Sequence, residues 1–179
     1  TINSTNWSNA GNLRSLTGGT ANLNGAWSNL GGTITADATS TLNFGGTFST
    51  PNLGTLTLAA GSTVNVPGAW NNTAQSFTLN AATGSWFLSG GSISGGTLAF
   101  ADGRTLIITA NSNNLITGVN VTGDLTLSAT AARTKIEGST TFATAHLTGN
   151  TAELGFGPGT TLNGTILFEG ATGGNRFVN

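Results

Sequence analysis

Polar and apolar residues alternate along this chain in a motif that occurs three times. The motif runs Thr, any residue, Asn, an apolar residue, any residue, Gly, a small or hydroxylated residue, and then an aromatic residue. Its copies occupy residues 20–27, 41–48 and 63–70, so they begin 21 and then 22 residues apart. Alternation of this kind is typical of a strand with one buried face. Self-similarity at a period above twenty residues is typical of a solenoid.

Two further strand series, one before the motif strands and one after them, share this period. Strands that begin at Thr33, Thr55 and Thr97 each lie eight residues before a strand of the motif series. The motif series itself continues, with fading identity, through Ser85, Thr105, Leu125, Ala145 and Thr165. The gaps between the two series are small, Gly-bearing segments that favour turns.

The third series carries the aromatic residue of the motif, at Trp27, Phe48 and Trp70, and continues with Ile93. No segment has a helical period of useful length. The pattern therefore predicts an all-β fold, a parallel β-helix or β-solenoid of about eight coils of 20–22 residues with three short strands per coil. Residues 1–179 form a single β-solenoid domain in this interpretation. We expect it to be a segment of a longer chain or the subunit of a filament.

Aligned coils place equivalent residues above one another, so polar residues are expected to form ladders along the axis. Stacked side-chain amides can hydrogen-bond to one another in such a ladder. The expected members are the asparagines Asn22, Asn43 and Asn65 and, in a neighbouring hydroxyl column, Thr20, Thr41, Thr63 and Thr105.

The four aromatic positions Trp7, Trp27, Phe48 and Trp70 recur in the third series. They could form an exposed strip that stacks on sugar rings, or a buried aromatic column. Phe replaces Trp at one of these positions and Ile93 follows in the next coil, an exchange among apolar types that a core tolerates. The core interpretation is therefore favoured.

Charged residues are scarce, at 6% of the chain with a net charge of −1, against about 25% in ordinary soluble domains. The chain has no basic excess for binding nucleic acid and no apolar run long enough for a membrane-spanning helix. Cysteine is absent, which excludes disulfides and fits an exported protein. A cluster of Arg133, Lys135 and Glu137 is expected to be a solvated edge or a lateral contact.

Catalytic residues are not evident. His146 is the only histidine, so no second histidine can complete a metal site or a triad, and we interpret it as an outward-facing strand residue. Asp102, Arg104 and Asp124 are the best candidates for a lyase-like acidic site, but Asp102 lies in a predicted turn, where Asp is favoured for local reasons. We expect no enzyme activity, no cofactor and no metal.

Residues 53–66 and 92–98 resemble exported bacterial β-solenoid proteins of the filamentous-haemagglutinin and autotransporter-passenger types. The resemblance covers most of residues 20–110. It implies a right-handed parallel β-helix, export to the cell surface or the extracellular space, and a role as an adhesin, a filament or surface-layer material.

These patterns lead to the hypothesis of a non-enzymatic structural rod that self-associates end to end into a fibre or forms an adhesin stalk. The alternative is a polysaccharide- or ice-binding module that uses a flat Thr/Asn face or the aromatic strip. For ice binding, the regular rows are Thr33-x-Thr35 and Thr55-x-Thr57, and the next coils interrupt them.

Overall fold

The computed structural model describes residues 1–170 and 174–178. The chain forms a β-solenoid of about eight turns, with 23 strands and one short 3-10 helix, at Thr50–Leu53, and no α-helix among the described residues. In each turn the chain passes along three faces in the same order, and equivalent strands of successive turns lie side by side. At the strand spacing of about 4.8 Å, eight turns make a rod roughly 40 Å long.

The strands are numbered in chain order and are grouped here by face. Face 1 contains β2 (Asn12–Ser15), β5 (Thr33–Ala36), β8 (Thr55–Leu58), β11 (Ser76–Leu79), β14 (Thr97–Phe100) and β17 (Asn120–Thr122). Face 2 contains β3 (Thr20–Leu23), β6 (Thr41–Phe44), β9 (Thr63–Val66), β12 (Trp86–Leu88), β15 (Leu106–Ile108), β18 (Leu125–Leu127), β20 (Thr144–Leu147) and β22 (Thr165–Phe168). Face 3 contains β1 (Asn6–Ser8), β4 (Ala26–Ser28), β7 (Thr47–Ser49), β10 (Ala69–Asn71), β13 (Ser92–Ser94), β16 (Leu115–Thr117), β19 (Arg133–Glu137), β21 (Glu153–Phe156) and β23 (Arg176–Val178).

All strand pairs are parallel, and face 3 is one continuous nine-stranded sheet. Face 2 consists of a five-stranded and a three-stranded sheet, with β18 lying beside β15, and face 1 consists of two three-stranded sheets. The registers confirm the predicted coil alignment: Thr20 pairs with Thr41, and Thr41 pairs with Thr63. One coil precedes the first copy of the motif, because Trp7 pairs with Trp27.

The core runs along the inside of the rod because alternate residues of every strand point inward. β6 and β9 show this most simply, with Leu42, Phe44, Val64 and Val66 all buried and the residues between them partly exposed. No charged side chain belongs to the buried core of the described residues. A continuous apolar column of this kind is the main stabilising element of a solenoid, since each coil buries its inner face against its neighbours.

Face 1 departs from the expected three strands per coil near the C-terminal end. After β17 it continues only as a single bridge between Asn120 and Thr141, and residues 157–164 form no strand there. For residues 157–164 the sequence Gly157-Pro158-Gly159 explains the loss, since Pro cannot donate to a ladder and Gly weakens a strand.

Glycines at the corner between faces 2 and 3 let successive coils approach closely. Gly46 has φ 60°, and a Cβ built on it would lie 1.9 Å from the carbonyl oxygen of Gly25. A Cβ on Gly25 would lie 1.8 Å from the carbonyl oxygen of Ser4. In the first two copies of the motif the Gly therefore meets two requirements at once, a left-handed backbone conformation and close contact between coils. Gly68, in the third copy, has the close contact without a left-handed backbone.

Candidate functional site

The aromatic residues of the third series form a column inside the rod. Ring centroids are 5.7 Å apart from Trp7 to Trp27, 4.7 Å from Trp27 to Phe48 and 6.1 Å from Phe48 to Trp70, and neighbouring planes are within 16° of parallel. Trp27, Phe48 and Trp70 are buried, with at most 2% of their surface exposed, whereas Trp7 at the N-terminal end is half-buried. The three buried rings have no free face for a sugar, so this column is core.

An outward ladder of asparagine amides runs along face 2. Asn43 Nδ2 donates to Asn22 Oδ1 over 2.6 Å, and Asn65 Nδ2 donates to Asn43 Oδ1 over 2.7 Å. Asn22 Nδ2 donates in turn to the Thr1 hydroxyl at 3.0 Å. The next residue in this register is Phe87, so the amide ladder ends after three coils.

The threonine column beside it is aligned in register only. Thr20, Thr41 and Thr63 are paired neighbours, but among the described residues no hydrogen bond joins their hydroxyl groups. Thr105 lies further along, where its amide donates to Ser85 Oγ at 3.1 Å, and its own buried hydroxyl has no partner within the described part of the chain.

A second set of asparagines lies at corners of the rod and was not predicted: Asn29 and Asn72 lie between faces 3 and 1, and Asn114 lies between faces 2 and 3. Asn29, Asn72 and Asn114 are buried, and each donates from Nδ2 to a backbone carbonyl of a neighbouring coil: Leu53, Thr97 and Arg133, at 2.9–3.0 Å. For Asn29 and Asn72 the signal available in the sequence is Trp-x-Asn, in residues 27–29 and 70–72, which also occurs at residues 7–9. Asn114 follows no such motif. These side chains satisfy backbone groups that the turn leaves unpaired.

The regular threonine rows on face 1 are short. Thr33 pairs with Thr55 and Thr35 pairs with Thr57, but Arg14 stands beside Thr35 on the preceding strand, and this sheet ends at β8. A regular hydroxyl surface that is only two coils wide is small for recognising the extended lattice of ice.

His146 faces outward on face 2, as predicted, but it is flanked by two carboxylates. Its Nδ1 lies 2.7 Å from Glu169 Oε2, and its Nε2 lies 3.6 Å from Asp124 Oδ2. The hydrogen bond with Glu169 and the charges of both carboxylates raise the pKa of His146 above 6.5. Coils stack these residues because they are 22 and 23 positions apart, which is about one turn. The group is an exposed ion-pair cluster.

The structure does not join the residues of the candidate acidic site. Asp102 lies in the predicted turn, with φ 54°, and its Oδ2 accepts a hydrogen bond from the amide of Ala81 at 3.1 Å. Asp124 lies beside His146 instead. No ion pair connects Arg104 to either aspartate among the described residues. Within the same residues, no three His, Asp or Glu side chains are placed to hold a metal ion.

A charged patch occupies face 3 near the C-terminal end. It contains the predicted cluster of Arg133, Lys135 and Glu137, together with Glu153 of β21 and Arg176 of β23. Lys135 forms an ion pair with Glu137 at 2.8 Å, and Arg176 forms one with Glu153 at 3.2 Å. Beside these pairs lies a groove of about 400 Å³, lined by Ser112, Arg133, Thr134, Lys135, Glu153, Gly155, Phe156 and Pro158.

Both ends of the described rod expose residues of the inward register. On β22, Ile166 and Phe168 pair with the fully buried Ala145 and Leu147, yet Ile166 is only partly buried and Phe168 is 56% exposed. At the other end, Leu13 is half-buried although its partner Ile34 is buried. Core positions are therefore uncovered where the stack of described coils ends.

No family model, curated protein or solved structure matches this chain. The structure itself shows a β-solenoid repeat architecture. Among the described residues, no helix has the length and hydrophobicity needed to cross a bilayer.

Proposed function

We propose that this chain is a structural rod of the cell surface or the extracellular matrix that associates end to end into a fibre or the stalk of an adhesin. The uncovered core at the end of β22 supports this proposal most directly. Phe168 and Ile166 occupy the register in which other coils bury their side chains, and a further coil would cover them in the same way. The occupant we assign to this end is the N-terminal end of a second copy.

The two ends are chemically suited to each other. The N-terminal end presents Trp7 and Leu13, both apolar and half-buried, and the C-terminal end presents Ile166 and Phe168. The outer strands of both ends also have one unpaired edge within the described residues, and such an edge is a template for adding another strand. Stacking would continue the parallel ladders and bury both apolar surfaces.

Composition supports placement outside the cell. The chain has no cysteine and very few charges, and its strand motifs resemble those of exported bacterial solenoids. Like charges repeated at each coil would repel one another along the axis, so a surface of neutral polar residues suits a long stack.

The proposal is tested by electron microscopy and sedimentation of the purified protein over a wide concentration range. We expect filaments whose fibre diffraction shows an axial repeat of about 4.8 Å. Phe168→Lys should shorten or disperse them by placing a charge between stacked ends. Leu30→Lys is the matched control, since Leu30 is 66% exposed but lies in the turn after β4, on the side of the rod. A wild-type protein that stays monomeric throughout, or equal effects of the two substitutions, would contradict the proposal.

A further inference from the structure

Arg133 projects from β19 next to two satisfied ion pairs but takes part in neither. Lys135 is paired with Glu137 and Arg176 with Glu153. Among the described residues, the Arg133 guanidinium has no carboxylate within ion-pair distance and donates no hydrogen bond. Its Nε is buried and without a partner. A buried N–H donor without an acceptor is costly unless something else supplies the acceptor.

Glu153 is the residue that could have supplied that acceptor. It is the cross-strand partner of Arg133, which is the position where opposite charges normally pair. Its carboxylate is instead 3.2 Å from Arg176 on the far side. The geometry thus leaves the forked N–H donors of the Arg133 guanidinium available to a ligand in the groove.

The groove beside Arg133 has the dimensions of a ligand site. Its volume is about 400 Å³, within the usual range for small-molecule pockets. Gly155 on β21 lies opposite Lys135 and has no side chain to fill the space. Pro158 and Phe156 provide an apolar wall, and Ser112 provides a hydroxyl that makes no hydrogen bond to a described residue.

The charges around the groove select the class of ligand. A guanidinium fork binds a planar carboxylate through two parallel hydrogen bonds. Lys135 adds a second positive charge, but Glu153 also lines the groove, so a ligand with two or more negative charges would meet repulsion. The apolar wall and the free hydroxyl suit a ring that bears both C–H and O–H groups.

We propose that this groove binds a hydroxylated monocarboxylate the size of a sugar, of the uronic acid type, with its carboxylate on Arg133. The site lies on the side of the rod, so it would stay accessible in an end-to-end stack. Its binding is independent of the proposed assembly.

The test is a titration of the full chain with D-galacturonate, followed by NMR or calorimetry. D-galactose, which has the same ring without the carboxylate, and inorganic phosphate are the comparison probes. We expect saturable binding of galacturonate, and binding weaker by about tenfold or more for both comparison probes. Absent galacturonate binding would overturn the proposal, as would galactose or phosphate binding equally well.

Variants locate the site. Arg133→Gln should weaken galacturonate binding by about tenfold or more. Arg133→Lys should also weaken it, because Lys keeps the charge but lacks the fork. Arg14→Gln is the matched control, since Arg14 is exposed on face 1 and its loss changes the net charge equally. Circular dichroism checks that each variant is folded.

A third substitution in the groove keeps Arg133 and Lys135 and is expected to strengthen binding. Glu153→Gln removes the repelling carboxylate and should tighten galacturonate binding. Equal weakening by Arg133→Gln and Arg14→Gln would show unspecific charge attraction and overturn the assignment. Unchanged affinity in Arg133→Lys or in Glu153→Gln would overturn it too, even if Arg133→Gln failed to fold.

Discussion

Asn43 Nδ2 donates to Asn22 Oδ1 across 2.6 Å, so residues 21 positions apart in the chain are joined side chain to side chain. Asn43 also accepts from Asn65 over 2.7 Å and is the only member of this ladder with an amide neighbour on both sides. Asn43→Ala removes both bonds, and we expect a loss of about 1–3 kcal/mol in the free energy of unfolding. Chemical denaturation measures this loss.

Two comparisons make the Asn43 experiment specific. Asn65→Ala removes one bond of the ladder and should cost less than Asn43→Ala. Asn12→Ala, at an exposed position of β2, should be nearly neutral. If Asn12→Ala destabilised the rod as much as Asn43→Ala, the effect would come from strand propensity and the ladder would have no stabilising role.

Substitution of Gly46 tests how much the close contact between coils matters for stability. Gly46→Ala places a Cβ 1.9 Å from the carbonyl oxygen of Gly25, so the coils must separate, and we expect a loss of about 3 kcal/mol or more or failure to fold. Gly84 has φ 74°, but no atom lies within 4 Å of the position that a Cβ would occupy there. Gly84→Ala should therefore cost only about 1–2 kcal/mol, the cost of the left-handed backbone alone. Equal melting temperatures for the two variants would contradict this explanation.

Substitutions of Trp27 test whether the aromatic column is core or a sugar-binding strip. It is buried, stacks between Trp7 and Phe48, and donates from Nε1 to the carbonyl oxygen of Gly45 at 2.9 Å. Trp27→Ala should cost about 3–5 kcal/mol, and Trp27→Phe should cost less because most of the ring packing remains. Thermal unfolding distinguishes the variants. A Trp27→Ala protein of wild-type stability would contradict a core role.

The fold could be predicted because coil alignment depends on a short local pattern. Alternation in residues 41–44 and 63–66 defines β6 and β9 at their observed bounds. Leu125 was placed correctly at the start of β18, although its coil keeps little of the motif. Once a period is known, one aligned position indicates where the other strands of the same coil lie, although face 1 has no strand at residues 157–164.

The polar contacts outside the motif were harder to predict. Glu169 lies one turn after His146, and Asp124 lies one turn before it, so the period already implied that they are neighbours. Which side chains then meet depends on rotamers and on their direction from the face, and these are set by packing. The buried Asn29 was missed for a different reason: its role appears only when the unpaired carbonyl of Leu53 in the next coil is known.

We expect His146 to make the stability of the C-terminal coils depend on pH. Its pKa is raised, chiefly by the hydrogen bond with Glu169 and then by the charges of Glu169 and Asp124. A raised pKa in the folded state means that this contribution to stability is fully present below the unfolded value of 6.5 and is lost as pH rises through the folded pKa. The free energy of unfolding of the wild type should therefore exceed that of His146→Gln most at about pH 5 and least at about pH 9.

Changes in ionic strength and substitutions of the two carboxylates provide the controls for this pH effect. The cluster is solvent-exposed, so raising the ionic strength should reduce the difference between wild type and His146→Gln at acidic pH. Glu169→Gln removes the nearer carboxylate, at 2.7 Å, and should lower the pKa of His146, measured by NMR titration, more than Asp124→Asn, whose carboxylate is 3.6 Å away. A stability difference that does not vary with pH, or a His146 pKa that neither substitution moves, would show that the observed contacts do not act as ion pairs in solution.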